Sequence, residues 1–294
     1  MGSIHKLIYH NDRMLPLDEV RLSPGQAALF NGWGIFTTMR IYDGVPFGFE
    51  RHWNRLMTDA RLLQMPVKHA PEPVRAAATE LLRANAVGEG CIRVYFLYNK
   101  IGFWCSNEPM PTVDFLMYTT DLPKRVGPTQ LGVQAHGRHA ANPLTGRKVT
   151  SWLQNVFSLE QAHQRGFEEV VLLNERDEVA ECTAANLYRV RGGTVATPPL
   201  AAGCLAGVTR QVVMELAPAL GIQIKERPLK LDDLYGADEV FMTSTTREVQ
   251  PVSQIEQHKF ANAPGPITAR LAQAFSSYVK RYVAEQKQAQ KVSA

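Results

Sequence analysis

The alternation of apolar and polar positions divides the chain into short strands and a few amphipathic helices. Lys6 to Leu15 reads as a strand, a turn at His10-Asn11-Asp12, and a second strand. After the polar connection DEVRLSPGQAALFNGWG, the run IFTTMRIYDGVPFGF alternates around Asp43-Gly44 and predicts a β-hairpin. Glu50 to Leu63 has helical spacing, with Trp53, Leu56 and Met57 available for one face. Pro73 opens a second helix, PVRAAATELLRANA, which stops near Val87-Gly88. CIRVYFLYNKIGFW and TVDFLMYTTDL supply two more strands.

Leu122 to Pro128 contains nothing that asks to be buried and predicts a connector. Beyond it come a strand, QLGVQAHG, a loop, RHAANPLTGRK, and a helix from about Thr150 to Gly166 whose apolar face is Trp152, Val156, Leu159 and Ala162. Gly166 to Arg210 holds three short β runs, broken by a polar turn, Gly192-Gly193 and Pro198-Pro199, and ends in a glycine-flanked turn into the helix VTRQVVMELAPALG. The strand IQIKERPL, a short capped helix after Asp232, the buried strand EVFMT and a terminal helix complete the order, with no internal repeat. Two α/β halves joined near residue 125 follow from this order: a small N-terminal domain over 1–121, a connector over 122–134 and a larger C-terminal domain over 135–294.

Composition narrows the function. With 294 residues, 45% of them hydrophobic and 20% charged, the chain is expected to be globular and long enough for two domains. A net charge of +4, carried by dispersed residues, argues against nucleic acid as an obligatory partner. Cys91, Cys105, Cys182 and Cys204 have no metal-ligand spacing, which disfavours a zinc site and a disulfide framework. The N-terminus lacks the apolar run of a signal peptide, and no stretch reaches the ~18 apolar residues of a membrane span. A cytoplasmic location is the expectation.

Four local features carry candidate chemistry. Lys148, in a small-residue loop, is an amine that forms a Schiff base if its surroundings keep it partly deprotonated, although read alone it is better taken as a solvated surface lysine. Glu181 is a single carboxylate among small residues, suited to holding a planar ligand, although pattern alone favours a solvated hairpin. In LAGVTR, Gly207 permits close approach, and the amides of Val208 and Thr209 at a helix start make an anion cradle or an ordinary cap. Ser244 and Thr245, in TSTT after a strand, offer hydroxyls and amides to a phosphate or form a plain polar turn.

Taken together and in order, FTTMRIYDG, ERHWNRL, GRKVTSWLQNVFSLEQAHQRG, EVAECTAANLYRV with ATPPL, LAGVTR and ADEVFMTSTTREVQPV resemble the class IV aminotransferases dependent on pyridoxal 5'-phosphate (PLP). That family holds the branched-chain and D-amino-acid aminotransferases, the (R)-selective amine transaminases and aminodeoxychorismate lyase. The resemblance covers about residues 5 to 255. It implies an α+β, two-domain fold type IV enzyme, a homodimer with shared active sites, and no metal. It also implies that Lys148 forms the Schiff base with PLP and acts as acid and base. Glu181 then faces the pyridine nitrogen, Arg55 grips the phosphate, and Gly207, Val208, Thr209, Ser244 and Thr245 complete the phosphate cup. The reaction so implied is transamination between a hydrophobic or branched-chain amino acid, or a primary amine, and a 2-oxo acid.

Departures within the motifs bear on the substrate. Thr37 and Thr38 stand where branched-chain and D-amino-acid enzymes commonly have a glutamate after the aromatic residue, and FTT with ECTAANL is similar to aminodeoxychorismate lyase, the alternative reading. Trp152 lies near the place of a tyrosine in the branched-chain enzymes, and YNKIGFW lacks the arginine and histidine with which D-amino-acid enzymes trap a carboxylate. Candidate pocket residues are Phe36, Thr38, Arg40, Arg93, Tyr95, Tyr98, Lys100 and Arg138, with Trp33, Phe103 and Trp104 adding apolar surface.

Overall fold

Apolar residues at every second position of three long strands build the first sheet around one buried face. The computed structural model describes residues 3–22, 26–99, 111–123 and 127–293, and the chain divides into two units. The first takes in the described residues up to 123, Lys148–Trp152 and those from Lys280 on; the second takes in the remainder.

The first unit contains β1 (Ile4–His10), β2 (Arg13–Pro16), α1 (Ala27–Asn31), β3 (Gly34–Tyr42), β4 (Val45–Pro46), α2 (Phe49–Leu62), α3 (Pro71–Ala84), β5 (Gly90–Tyr98) and β6 (Val113–Thr120). Among the described residues six strands pair in the order β2-β1-β6-β5-β3-β4, all antiparallel. Ile35, Met39 and Ile41 of β3, Ile92, Val94 and Phe96 of β5, and Phe115 and Met117 of β6 form the inner face. Leu56 and Ala60 of α2 and Val74, Ala78 and Leu81 of α3 cover it, each large side chain contributing about 1.5–3 kcal/mol of transfer free energy. The predicted hairpin is present: Asp43 and Gly44 take φ of 49° and 78°, the two left-handed residues that match the twist of the flanking strands.

The second unit contains β7 (Thr129–Gln134), α4 (Leu153–Gln164), β8 (Glu169–Leu173), β9 (Val179–Cys182), β10 (Asn186–Arg191), β11 (Thr194–Thr197), α5 (Val208–Leu216), β12 (Ile224–Glu226), α6 (Leu231–Tyr235), β13 (Glu239–Ser244), β14 (Glu248–Ile255) and β15 (His258–Lys259). A long helix, α7 (Pro266–Ser293), begins in this unit and ends in the first. The main sheet runs β12-β11-β10-β13-β14-β7-β8-β9, with β15 paired to β14. Leu131, Val171, Leu187, Met242 and Val252 line its core.

The strand expected in QLGVQAHG is present as β7, which extends the second sheet into residues counted with the connector because it finds parallel partners in β8 and β14. Other expectations change. Lys148–Trp152, expected with the C-terminal domain, belongs to the first unit, and so does the end of α7. The helix expected from Thr150 starts at Leu153, because the preceding main chain pairs with β3 instead. Phe36 N–H donates to Lys148 O at 2.9 Å, and Thr150 N–H donates to Gly34 O at 2.9 Å. The same helix buries Ala162 and half-buries Leu159 of its expected face but leaves Val156 exposed. It buries Asn155, Ser158 and Ala162, while Leu153, Val156 and Phe157 are 78%, 48% and 62% exposed.

Candidate active site

In the first unit the chemistry gathers around β3, whose successive residues face opposite ways. Phe36, Thr38 and Arg40 lie on the outer face, opposite Tyr95, Arg93 and Cys91 of β5, and Tyr118 of β6 lies opposite Arg93. Phe36 stacks on Tyr95 with centroids 5.2 Å apart, and Tyr95 stacks on Tyr118 at 5.6 Å. The Tyr95 and Tyr118 hydroxyls are 3.1 Å apart, and Arg93 Nη1 donates to Tyr95 Oη at 3.4 Å. Burial and the neighbouring Tyr95 push the Tyr118 phenol well above its ordinary value. The Lys148 amine sits at one end of this row, 4.7 Å from the Phe36 ring centroid and 5.8 Å from that of Trp152, within cation–π range of both.

The other side of β3 meets α2. There Thr37 and His52 are buried, and Arg55 Nη2 donates to Thr37 Oγ1 at 3.0 Å. Burial lowers the Arg55 guanidinium to about 10, against the raising effect of Asp59. Asp59 Oδ2 also accepts the main-chain N–H of Lys148 at 3.1 Å. His52, Arg55 and Asp59 are therefore one polar row along α2, at helical spacings of i, i+3 and i+7. That row adjoins the apolar stripe of Trp53 and Leu56, and reading the stripe alone misses Asp59.

In the second unit Glu181 on β9 is a buried carboxylate pinned from two sides. Its Oε1 accepts Arg138 Nε at 3.2 Å and Nη2 at 3.1 Å, and its Oε2 accepts the Leu205 N–H at 3.0 Å. Arg138 Nη1 donates to Asn155 Oδ1 at 2.8 Å, and Asn155 Nδ2 donates to Thr183 O at 2.8 Å, which closes the network back onto the turn after β9. A charge-assisted arginine fork of this kind keeps a carboxylate ionised and oriented. Cys182, beside Glu181, is fully buried, and burial followed by the Glu169 charge pushes its thiol well above the ordinary range. That thiol is a packing group.

Leu205 to Thr209 is held by the same residues. Asn186, the first residue of β10, donates from Nδ2 to Leu205 O at 2.8 Å, so the loop is fixed by its N–H on Glu181 and by its C=O on Asn186. A Cβ built on Gly207 comes 2.1 Å from Asn186 Oδ1, which explains the glycine. Gly207 is the N-cap of α5, and the first of the helix amides to reach back to it is that of Gln211. The amides of Val208 and Thr209 precede that bond and point out of the helix N-terminus. Ser244 ends β13, and its Oγ accepts the Arg247 N–H at 3.2 Å across the turn that carries Thr245.

Two candidates are placed differently from the sequence reading. Tyr98 has the opposite parity from Arg93 and Tyr95 on β5 and packs edge-on against Trp33 at 6.3 Å, on the core side. Arg138 is committed to Glu181 and Asn155 within the second unit, 43 residues away from its acid in sequence, and no local pattern links the two. Lys100, Phe103 and Trp104 lie outside the described residues.

Residues 34–255 match the family described as amino-transferase class IV. The chain is 27% identical over 281 residues to a branched-chain-amino-acid aminotransferase of Salmonella typhimurium, covering 91% of each protein. It is 28% identical over 290 residues to the aminodeoxychorismate lyase of Bacillus subtilis, covering 95% of this chain and 97% of that one. The structure of the branched-chain amino acid aminotransferase from Escherichia coli superposes with a TM-score of 0.84 at 26% identity, covering 92% of this chain and 93% of that one. The chain belongs to the class IV aminotransferases, and its two α+β units are the fold type IV architecture.

Proposed function

We propose that the protein binds PLP and transfers an amino group between a hydrophobic or branched-chain amino acid, or a primary amine, and a 2-oxo acid. The observation that carries this reading is the doubly pinned Glu181, a buried carboxylate whose partners Arg138 and Leu205 N–H hold it ionised and fixed. The other residues fit PLP by their chemistry. Arg55 offers a guanidinium to a phosphate, Val208 and Thr209 offer the amides of a helix start on a loop that Gly207 lets Asn186 close against, and Ser244 and Thr245 add a second polar turn.

When bound, PLP supplies a ring that accepts the electrons released as a Cα proton leaves. Glu181 would face the ring nitrogen, and the Lys148 amine would hold the cofactor and serve as the acid and base that moves the substrate's proton. Phe36, Tyr95 and Trp152 offer an apolar wall beside that amine, which supports a hydrophobic substrate. The exposed Leu153, Val156 and Phe157 of α4 support a homodimer that covers them.

A second reading, elimination of pyruvate from aminodeoxychorismate, is favoured by the uncharged Thr37 and by the likeness to the Bacillus subtilis lyase. One assay separates the two. Purified protein loaded with PLP is mixed with branched-chain amino acids, glutamate, both alanine enantiomers and a chiral arylalkylamine while the visible spectrum is followed. Conversion to pyridoxamine phosphate by any donor supports transamination. No conversion, together with pyruvate release from aminodeoxychorismate, overturns it in favour of the lyase.

A further inference from the structure

On the α2 side of β3, the half-buried Arg55 and the buried Thr37 and His52 make a directional chain. Arg55 Nη2 donates to Thr37 Oγ1 at 3.0 Å, and Thr37 Oγ1 lies 2.7 Å from His52 Nδ1. The same guanidinium nitrogen lies 3.4 Å from His52 Nδ1. A guanidinium only donates, so the nitrogen that faces it carries a lone pair, and the imidazole is neutral with its proton on Nε2. The Thr37 hydroxyl then has one arrangement, its hydrogen on His52 and a lone pair on Arg55. Burial, Arg55 and Lys148, in that order, all lower the His52 pKa, in keeping with this tautomer.

We propose that Thr37 and His52 are positioning residues that orient Arg55 toward an anionic phosphate. The proposal rests on the assignment of Arg55 to the PLP phosphate. The hydroxyl rotor, locked by the imidazole, fixes one edge of the guanidinium, and Asp59, four residues on along α2, acts on the same group. A flexible cation thereby becomes a preorganised one, and its hydrogen-bonding edge is set before the anion arrives. Neither Thr37 nor His52 touches the cofactor in this scheme.

The test compares PLP with pyridoxal, which lacks the phosphate. Dissociation constants for both are measured on the full-length protein for wild type, Thr37→Val, Thr37→Ser and Arg55→Ala, together with thermal unfolding. Thr37→Val is expected to weaken PLP binding by about tenfold or more, the scale of one hydrogen bond to a charged group. It leaves pyridoxal binding unchanged and Thr37→Ser restores PLP affinity, while thermal unfolding of the cofactor-free protein reports separately the stability lost by unpairing His52 Nδ1 and Arg55. Should Thr37→Val fold poorly, His52→Phe removes the acceptor of the same chain and is expected to show the same selective loss. Equal loss of both ligands, or no loss of either, while Arg55→Ala selectively weakens PLP, overturns the positioning role and leaves Arg55 at the phosphate. If Arg55→Ala itself leaves the PLP-to-pyridoxal ratio unchanged, the assignment of Arg55 fails and the proposal with it.

Discussion

Arg138 closes on Glu181 through two nitrogens, Nε at 3.2 Å and Nη2 at 3.1 Å from one carboxylate oxygen. The second carboxylate oxygen takes the Leu205 amide, so the acid and the loop that leads into α5 share one anchor. Arg138→Met is expected to strand a buried carboxylate and to lower stability by about 3–5 kcal/mol. Denaturant unfolding of the two proteins checks the loss. PLP retention is expected to fall alongside it, because the Leu205 to Thr209 loop loses its fixed end.

Lys148→Ala is expected to abolish borohydride trapping of PLP on the chain and to lower turnover by at least about 10²-fold, the lower end of the range for a positioned acid and base. Mass spectrometry of the reduced protein and a single-turnover assay read the two effects. A trapped adduct on any other lysine contradicts the assignment.

His52 predicts the direction of a pH effect. Its folded value lies well below the ordinary imidazole value of 6.5, first through burial and then through Arg55 and Lys148. The unfolded chain therefore binds a proton that the folded chain refuses. The stabilisation is complete above the unfolded value and is lost as pH falls below it toward the folded value, at about 1.4 kcal/mol per pH unit. His52→Gln is expected to remove this acid-side slope, and chemical denaturation at a series of pH values measures it.

Cys91, Cys182 and Cys204 are buried free thiols. Burial pushes Cys91 up to about 11 and Cys204 up to about 12, and drives Cys182 well above the ordinary range. All three are expected to resist iodoacetamide at neutral pH until the protein is unfolded. Peptide mapping of native and denatured samples decides this, and rapid native labelling of Cys182 would refute the packing role given to it.

The exposed apolar face of α4 predicts an assembly defect. Phe157→Lys is expected to shift the protein from dimer to monomer in sedimentation velocity while its circular dichroism is retained. A dimer that survives Phe157→Lys combined with Leu153→Lys places the contact elsewhere.

Local patterns made much of the fold legible. The Asp43-Gly44 turn, the β3 alternation and the helical spacing of α2 are set by residues within a few positions of one another. What escaped depends on distant partners. The pull of β3 on Lys148–Thr150 delays the start of α4, and the burial of Asn155 rests on Arg138 and Thr183. In α4 periodicity placed Ala162 on the buried side correctly, whereas Val156 is exposed and the buried positions beside Ala162 are the polar Asn155 and Ser158. Asp59 was visible at helical spacing from Arg55, but its second task, holding the Lys148 amide, lies 89 residues further along the chain.

The pleat of β3 also separates two kinds of sequence change. Thr37 faces the arginine on α2, whereas Phe36, Thr38 and Arg40 face the Lys148 side. On the proposed reading, substitutions at the even positions are expected to retune what is accepted without disturbing how the arginine is held, and substitutions at Thr37 to do the reverse. A single strand thus offers two independently variable tracks, and the inserted or deleted residue that would swap them is the one change neither track can absorb.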